Sequence, residues 1–197
     1  METNTALQQD TESEISLESV AKQVADLKTQ IESISTKSQE NKLSMIVFSG
    51  DLDKALASLI IATGAVAMGL EVVMFFTFWA TPLLRDKNKK VGGKDLMGKM
   101  FGTMLPKGTG ELKLSKMNMA GMGTMMMKSL MKKKNVASLE DMLSLADELG
   151  VKIYICEMSM DLMGFKREEM INYSNLDYAG VATFLGEAQN SKIQLFI

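Results

Sequence analysis

Apolar residues recur along this chain with two periods, and the switches between them predict most of its elements. Leu17, Val20, Val24, Leu27, Ile31 and Ile34 step by 3, 4, 3, 4 and 3 residues, the a/d repeat of a coiled coil. A helix is predicted over about residues 15–36, inside a polar segment 1–40 rich in Ser, Thr, Gln and Glu. A globular region, 41–197, follows. Residues 43–48 form a short apolar run, the pattern of a buried strand. Ser49-Gly50-Asp51 reads as a turn. Leu52, Ala55, Leu56, Leu59, Ile60, Thr63, Val66 and Ala67 then recur at helical spacing. Asp51 and Asp53 suit the positive N-terminal end of that helix, and Gly69 can end it. Residues 72–76 read as a second strand. Strand, helix and strand in succession imply a parallel sheet.

Residues 85–135 break the pattern with a Met/Gly/Lys-rich insertion that runs into Lys132-Lys133-Lys134. Its methionines read first as filling for irregular gaps in a flexible cover over the sheet; an adaptable apolar surface for a partner or lipid is a second reading, and thioether copper binding is disfavoured by the lack of a compact, regular spacing and of an accompanying His or Cys. Periodicity returns at Ser138, a good N-cap with Asp141 three residues on. Leu139, Met142, Leu143, Ala146 and Leu149 make the apolar face, and Gly150 ends the helix. Residues 151–155 form a third strand that stops at Cys156. A last helix is predicted to start near Asp177, with Tyr178, Val181, Ala182 and Leu185 inward, before a closing strand at 193–197. The sum is an α/β fold: an open, mostly parallel sheet of four or five strands with helices on both faces.

Residues 59–84 are apolar enough in length to raise the question of a membrane span. Gly69-Leu70-Glu71 punctuates the middle, and composition changes there from Ala-rich to β-branched and aromatic. Helix followed by strand is therefore expected, and integral membrane insertion is not. A net charge of −2 gives no general argument for nucleic-acid binding. Met1-Glu2-Thr3-Asn4 lacks a basic stretch and an apolar stretch, so no secretory signal is read there. A single cysteine cannot form an internal disulfide, which fits a reducing, cytoplasmic setting.

The chain contains no histidine. Ser-His-Asp and Cys-His activation are thereby excluded within it, as are His-based metal sites. One cysteine cannot build a Cys-rich metal site. The first strand is followed by Ser-Gly-Asp and not by G-x-G-x-x-G, and no P-loop is present. Neither metal nor cofactor is expected.

In open α/β sheets, sites form beyond the carboxyl ends of the strands. Cys156 lies at one such end, and Ser49, Gly50 and Asp51 at another. The residues after Cys156 read as a short helical turn closed by Gly164. Free N–H groups and the dipole of such a turn favour a thiolate, while Glu157 and Asp161 oppose it if close. Ser159 is expected to cap the turn and Asp161 to fix it. A plain buried cysteine is the other reading.

Four separated segments resemble the DsrE/DsrF/DsrH-like family, in order. They are Ser49-Gly50-Asp51-Leu52-Asp53-Lys54-Ala55, then Phe75-Phe76-Thr77-Phe78-Trp79, then Ile155-Cys156-Glu157-Met158-Ser159-Met160-Asp161-Leu162-Met163-Gly164, and last Tyr178-Ala179-Gly180-Val181-Ala182. The resemblance covers about residues 43–197. It implies a flavodoxin-like sheet, homo- or hetero-oligomers, and a cysteine at position 156 that carries sulfane sulfur as a persulfide or thiosulfonate. It further implies delivery to a small TusA-like carrier. Members with a second, central cysteine are not matched, and the peroxiredoxin label sometimes given to the family lacks a resolving cysteine here. A non-catalytic oligomeric adaptor and a membrane-peripheral protein, each using the Met-rich surface, stay open as alternatives.

Overall fold

A computed structural model describes residues 17–37, 39–89 and 91–197. Residues 1–16 of the polar segment lie outside the described residues. The chain divides into two compact units, 1–38 and 39–197. The first contains helix α1, Leu17–Lys37. Along it Val20, Val24, Leu27 and Ile31 are all exposed, from 40% to 65%, so the predicted seam is an open stripe on this helix. The side chains of Leu17 and Ile34, its two ends, are outside the described residues.

The second unit is an α/β layer structure. Its strands are β1 (Glu40–Val47), β2 (Glu71–Phe76), β3 (Lys152–Cys156), β4 (Leu176–Ala179) and β5 (Ser191–Phe196). Its helices are α2 (Leu52–Ala67), α3 (Leu96–Met104), α4 (Met122–Lys133), α5 (Leu139–Glu148), α6 (Glu157–Met163) and α7 (Val181–Gln189). The five strands form one sheet in the order β4-β3-β2-β1-β5, and every neighbouring pair is parallel. The expected parallel sheet is therefore parallel throughout.

Alternation along the strands sorts side chains to two faces. Met45 and Val47 of β1, Met74 and Phe76 of β2, and Ile153 and Ile155 of β3 point one way. There they meet Leu52, Leu59 and Ala62 of α2 and Leu139, Leu143 and Ala146 of α5 in the larger core. Val73, Phe75, Tyr154 and Cys156 point the other way, with Ala179 and with Phe184 and Ala188 of α7. The α5 start has the expected cap: Asp141 N–H donates to Ser138 Oγ at 3.1 Å, and Ser138 N–H donates to the Asp141 carboxylate at 3.0 Å.

Three expectations are corrected. Asp177 and Tyr178 are not helical: they belong to β4, which pairs with β3. Leu176, Tyr178 and Ala179 gain more from extending the sheet than a short polar-flanked segment gains from one helical turn, whose nucleation is costly. Helix α7 starts after Gly180 and turns Phe184 and Ala188 inward, while Val181, Ala182 and Leu185 are exposed. The methionines of 85–135 do not fill gaps. Met97, Met104, Met117, Met125 and Met126 are among those more than half exposed, and α4 buries Thr124 alone. Residues 59–84, by contrast, follow expectation: they comprise the end of α2, β2 and a 3-10 helix, Phe78–Leu84. Among the described residues no helix is long and apolar enough to cross a membrane.

Candidate functional site

Cys156 ends β3 and is the N-cap residue of α6, with extended backbone angles of φ −66° and ψ 112°. Strand alternation turns its side chain onto the thinner face, opposite Ala179 in β4. It is 4% exposed. Phe75 and Phe184 share its core, with ring centroids 5.2 Å apart. The chain returns from α6 through Gly164, which adopts φ 61° and lets Phe165 N–H reach Met160 carbonyl at 2.9 Å. Cys156 therefore occupies a junction whose backbone is held at both ends.

Ser159 does not cap this turn. Its side chain is fully buried and bridges to the end of β2: its Oγ accepts from Phe78 N–H at 2.9 Å and shares a hydrogen bond with Thr77 Oγ1 at 2.9 Å. An N-cap side chain must sit before the helix, whereas Ser159 lies inside α6 and faces the neighbouring strand end. Phe78 has φ 45°, a left-handed conformation uncommon for a bulky residue, and the Ser159 bond helps hold it. Asp161 is exposed and serves the turn through its backbone, whose carbonyl accepts from Gly164 N–H at 3.1 Å.

Ser49, Gly50 and Asp51 lie at the carboxyl end of β1, one strand beyond β2. A Cβ on Gly50 would stand 2.1 Å from Trp79 carbonyl oxygen, so a glycine is required where this turn meets the 3-10 helix. Asp51 pairs with Lys54 at 3.1 Å, and Lys54 Nζ donates to Ser49 Oγ at 3.1 Å. These bonds order the β1 turn. The link to Cys156 runs through Trp79, Phe78 and Ser159.

Sequence reasoning passed over several residues around the thiol. Thr77 and Phe78 anchor Ser159; both belong to the family-like segment after β2, but nothing in their spacing marks them as its partners. Arg167 pairs with the Glu157 carboxylate and lies 4.5 Å over the Tyr178 ring. The acidic charge beside Cys156 is thus met by a cation from the loop before β4. Tyr178 O–H donates to Arg167 carbonyl at 3.3 Å, and burial raises the phenol above its ordinary pKa.

The sequence model of the DsrE/DsrF/DrsH-like family matches residues 39–196. The chain belongs to this family. The matched region begins at β1 and ends in β5, so α1 lies outside it. Protein YrkE of Bacillus subtilis is 45% identical over 159 residues, covering 81% of this chain and 98% of its own length. Sulfur carrier protein DsrE2 of Allochromatium vinosum is 38% identical over 160 residues, covering 81% and 99%. The crystal structure of the ychN protein from E. coli covers 79% of this chain and 98% of its own, at 10% identity and a TM-score of 0.49. In this family member Cys156 stands at the carboxyl end of β3, and β2 separates it from the end of β1.

Proposed function

We propose that this protein is a sulfur carrier in a cytoplasmic relay, with Cys156 as acceptor. The observation that carries the reading is the position of the thiol. The single cysteine of a chain 38% identical to a named sulfur carrier ends β3, at the edge where α/β sheets hold their sites. In loading, the Cys156 thiolate attacks the sulfane sulfur of a persulfide or polysulfide. A new S–S bond forms at Sγ, the donor S–S bond breaks, and the donor leaves as a thiolate or shortened polysulfide. Tetrathionate reacts alike, leaving thiosulfate and a thiosulfonate on the cysteine. Delivery reverses the roles: an acceptor thiolate attacks the sulfane sulfur bonded to Sγ, that S–S bond breaks, and Cys156 leaves as thiolate. Electrons balance in both steps, so one thiol suffices.

Burial of Cys156 among Phe75, Phe184 and Ala179 keeps water from the held sulfur. Delivery then needs a local opening, and a small carrier of TusA type is the acceptor this chemistry suits. Ser159, with Ser49, Gly50 and Asp51, supports the site by holding strand ends in place. The open stripe of α1 supports self-association as the role of that segment. Deleting residues 1–38 should lower the mass found by analytical ultracentrifugation, and an unchanged mass would remove that role.

Intact mass spectrometry after exposure to polysulfide, thiosulfate or tetrathionate tests the carrier. Addition of sulfur or thiosulfonate mass to wild type, absent from Cys156→Ser, is the expected result. A wild-type chain left unmodified by all three donors overturns it. The exposed methionines of α3 and α4 favour a second reading, a non-catalytic adaptor that docks a partner through this surface. That reading gains if Cys156→Ser retains full function in the cell.

A further inference from the structure

Away from the thiol, two cations are buried against one carboxylate. The side chains of Arg85 and Glu169 are 7% and 4% exposed and meet at 3.2 Å. Lys94, 9% exposed, pairs with the other Glu169 oxygen. Burial pushes the Glu169 carboxyl up, but Lys94, the Lys166 N–H and Arg85 outweigh it and lower the pKa, so the group stays ionised. Two cations and one anion leave a net charge of +1 among side chains that are all less than 10% exposed. The Phe165 ring backs both, its centroid 4.6 Å from Arg85 Cζ and 5.3 Å from Lys94 Nζ.

The excess charge borders a cavity of about 260 Å³ between α3 and the segment that starts at Arg85. Its other cations include Lys87, Lys99 and Lys107, while its only further acid among the described residues is Asp86, which accepts Asn88 N–H at 2.9 Å. Lys94 has three N–H donors and spends one on Glu169. Gly102 lies beside both cations: a Cβ there would stand 3.5 Å from Lys94 Nζ and 3.8 Å from Arg85 Nη2, at ordinary contact. A cleft in which one sign of charge predominates, as cations do here, concentrates counter-ions. Among the described residues Val91 is the one large apolar residue of the lining and no aromatic ring lines it, so these residues offer no stacking face to a base or sugar ring.

We propose that this cavity binds a compact, doubly charged tetrahedral oxyanion, held by Lys94 at its floor and by Lys99 at its rim. Phosphate, sulfate and thiosulfate share that chemistry. The site is separate from Cys156, and its occupancy does not depend on sulfur transfer.

Calorimetric titration of the full chain at fixed ionic strength tests it, with sodium phosphate, sulfate and thiosulfate in separate runs and chloride as control. The thiosulfate run uses Cys156→Ser, so that no thiol reaction contributes heat. One dianion per chain is expected, with a rise in melting temperature that chloride does not reproduce. Lys94→Met should weaken binding about tenfold, the scale of one lost charge-assisted hydrogen bond. Lys99→Met, an exposed change that leaves the fold intact, should weaken it about threefold, and Lys132→Met should leave it unchanged. Tighter binding of thiosulfate than of phosphate assigns the site to a sulfur compound, and the reverse assigns it to phosphate. No heat from any dianion, an equal response to chloride, or wild-type affinity in Lys99→Met overturns the proposal.

Discussion

The two faces of the sheet differ in how much they bury. On one, α2 and α5 lie side by side over β1, β2 and β3, and residues such as Leu59, Met74 and Phe76 are wholly enclosed. On the other, α7 contributes Phe184 and Ala188 alone to the core, while its Val181 and Leu185 are 57% and 58% exposed. Cys156 belongs to the second face. The difference teaches where a thiol can be both sheltered and reachable. Opening costs scale with the apolar area released, so a lightly packed helix moves away at a fraction of the cost of unfolding the body.

The largest expected effect comes from the heavily packed face. Phe76→Ala should cost about 4 kcal/mol of global stability, as for a fully buried Phe, measured by urea unfolding. Cys156 labelling should then rise only as far as global unfolding allows. Phe184→Ala should cost less, about 3 kcal/mol, because the thin face can relax into the gap. Labelling of Cys156 by a disulfide reagent should nevertheless accelerate more than in Phe76→Ala. Labelling rates that simply follow global stability in both variants would show that α7 does not open separately.

Ser159→Ala comes next, at about 1–2 kcal/mol, since it leaves Phe78 N–H and Thr77 without their buried partner. It should also speed labelling by loosening α6. A variant with unchanged melting temperature and labelling would mean that the bridge contributes nothing.

The smallest effect is pH-dependent and concerns how α7 is held down. Glu187 accepts from Lys42 Nζ at 2.9 Å and from Tyr154 O–H at 3.2 Å. Burial pushes its carboxyl up, but Lys42, Tyr154 and the Lys152 charge outweigh that and hold the pKa below its ordinary value. A carboxyl lowered on folding stabilises fully above its unfolded value, about 4.3, and the contribution fades as pH falls through the folded value. Labelling with dithiodipyridine, which reacts at acid pH, should therefore quicken as pH drops below about 4. Glu187→Gln should flatten the profile; a profile identical to wild type would remove Glu187 from the account.

Much of the site was legible before the structure. Cys156 follows Val151-Lys152-Ile153-Tyr154-Ile155, a β-branched and aromatic run that reads as a strand, and Gly164 closes the turn after it. The capping pair Ser138 and Asp141 is local chemistry three residues apart. Less legible were contacts between distant parts of the chain. Ser159 resembles a cap in sequence, yet its partners, Thr77 and Phe78, lie about eighty residues away. Leu176–Ala179 is too short to declare a period, and it is a strand because β3 offers an edge.

The sequence alone determined the strands β1 to β3, helices α2 and α5, the single available thiol and the family, because apolar period, caps and motifs are properties of adjacent residues. Tertiary structure decided the strand order, the face on which Cys156 sits, which side of α7 is buried, and the meeting of Arg85, Lys94 and Glu169. The physical reason is that these depend on pairing edges and shared burial between segments far apart in the chain. A hydrophobic or charged residue states that it needs a partner, but only packing chooses which one.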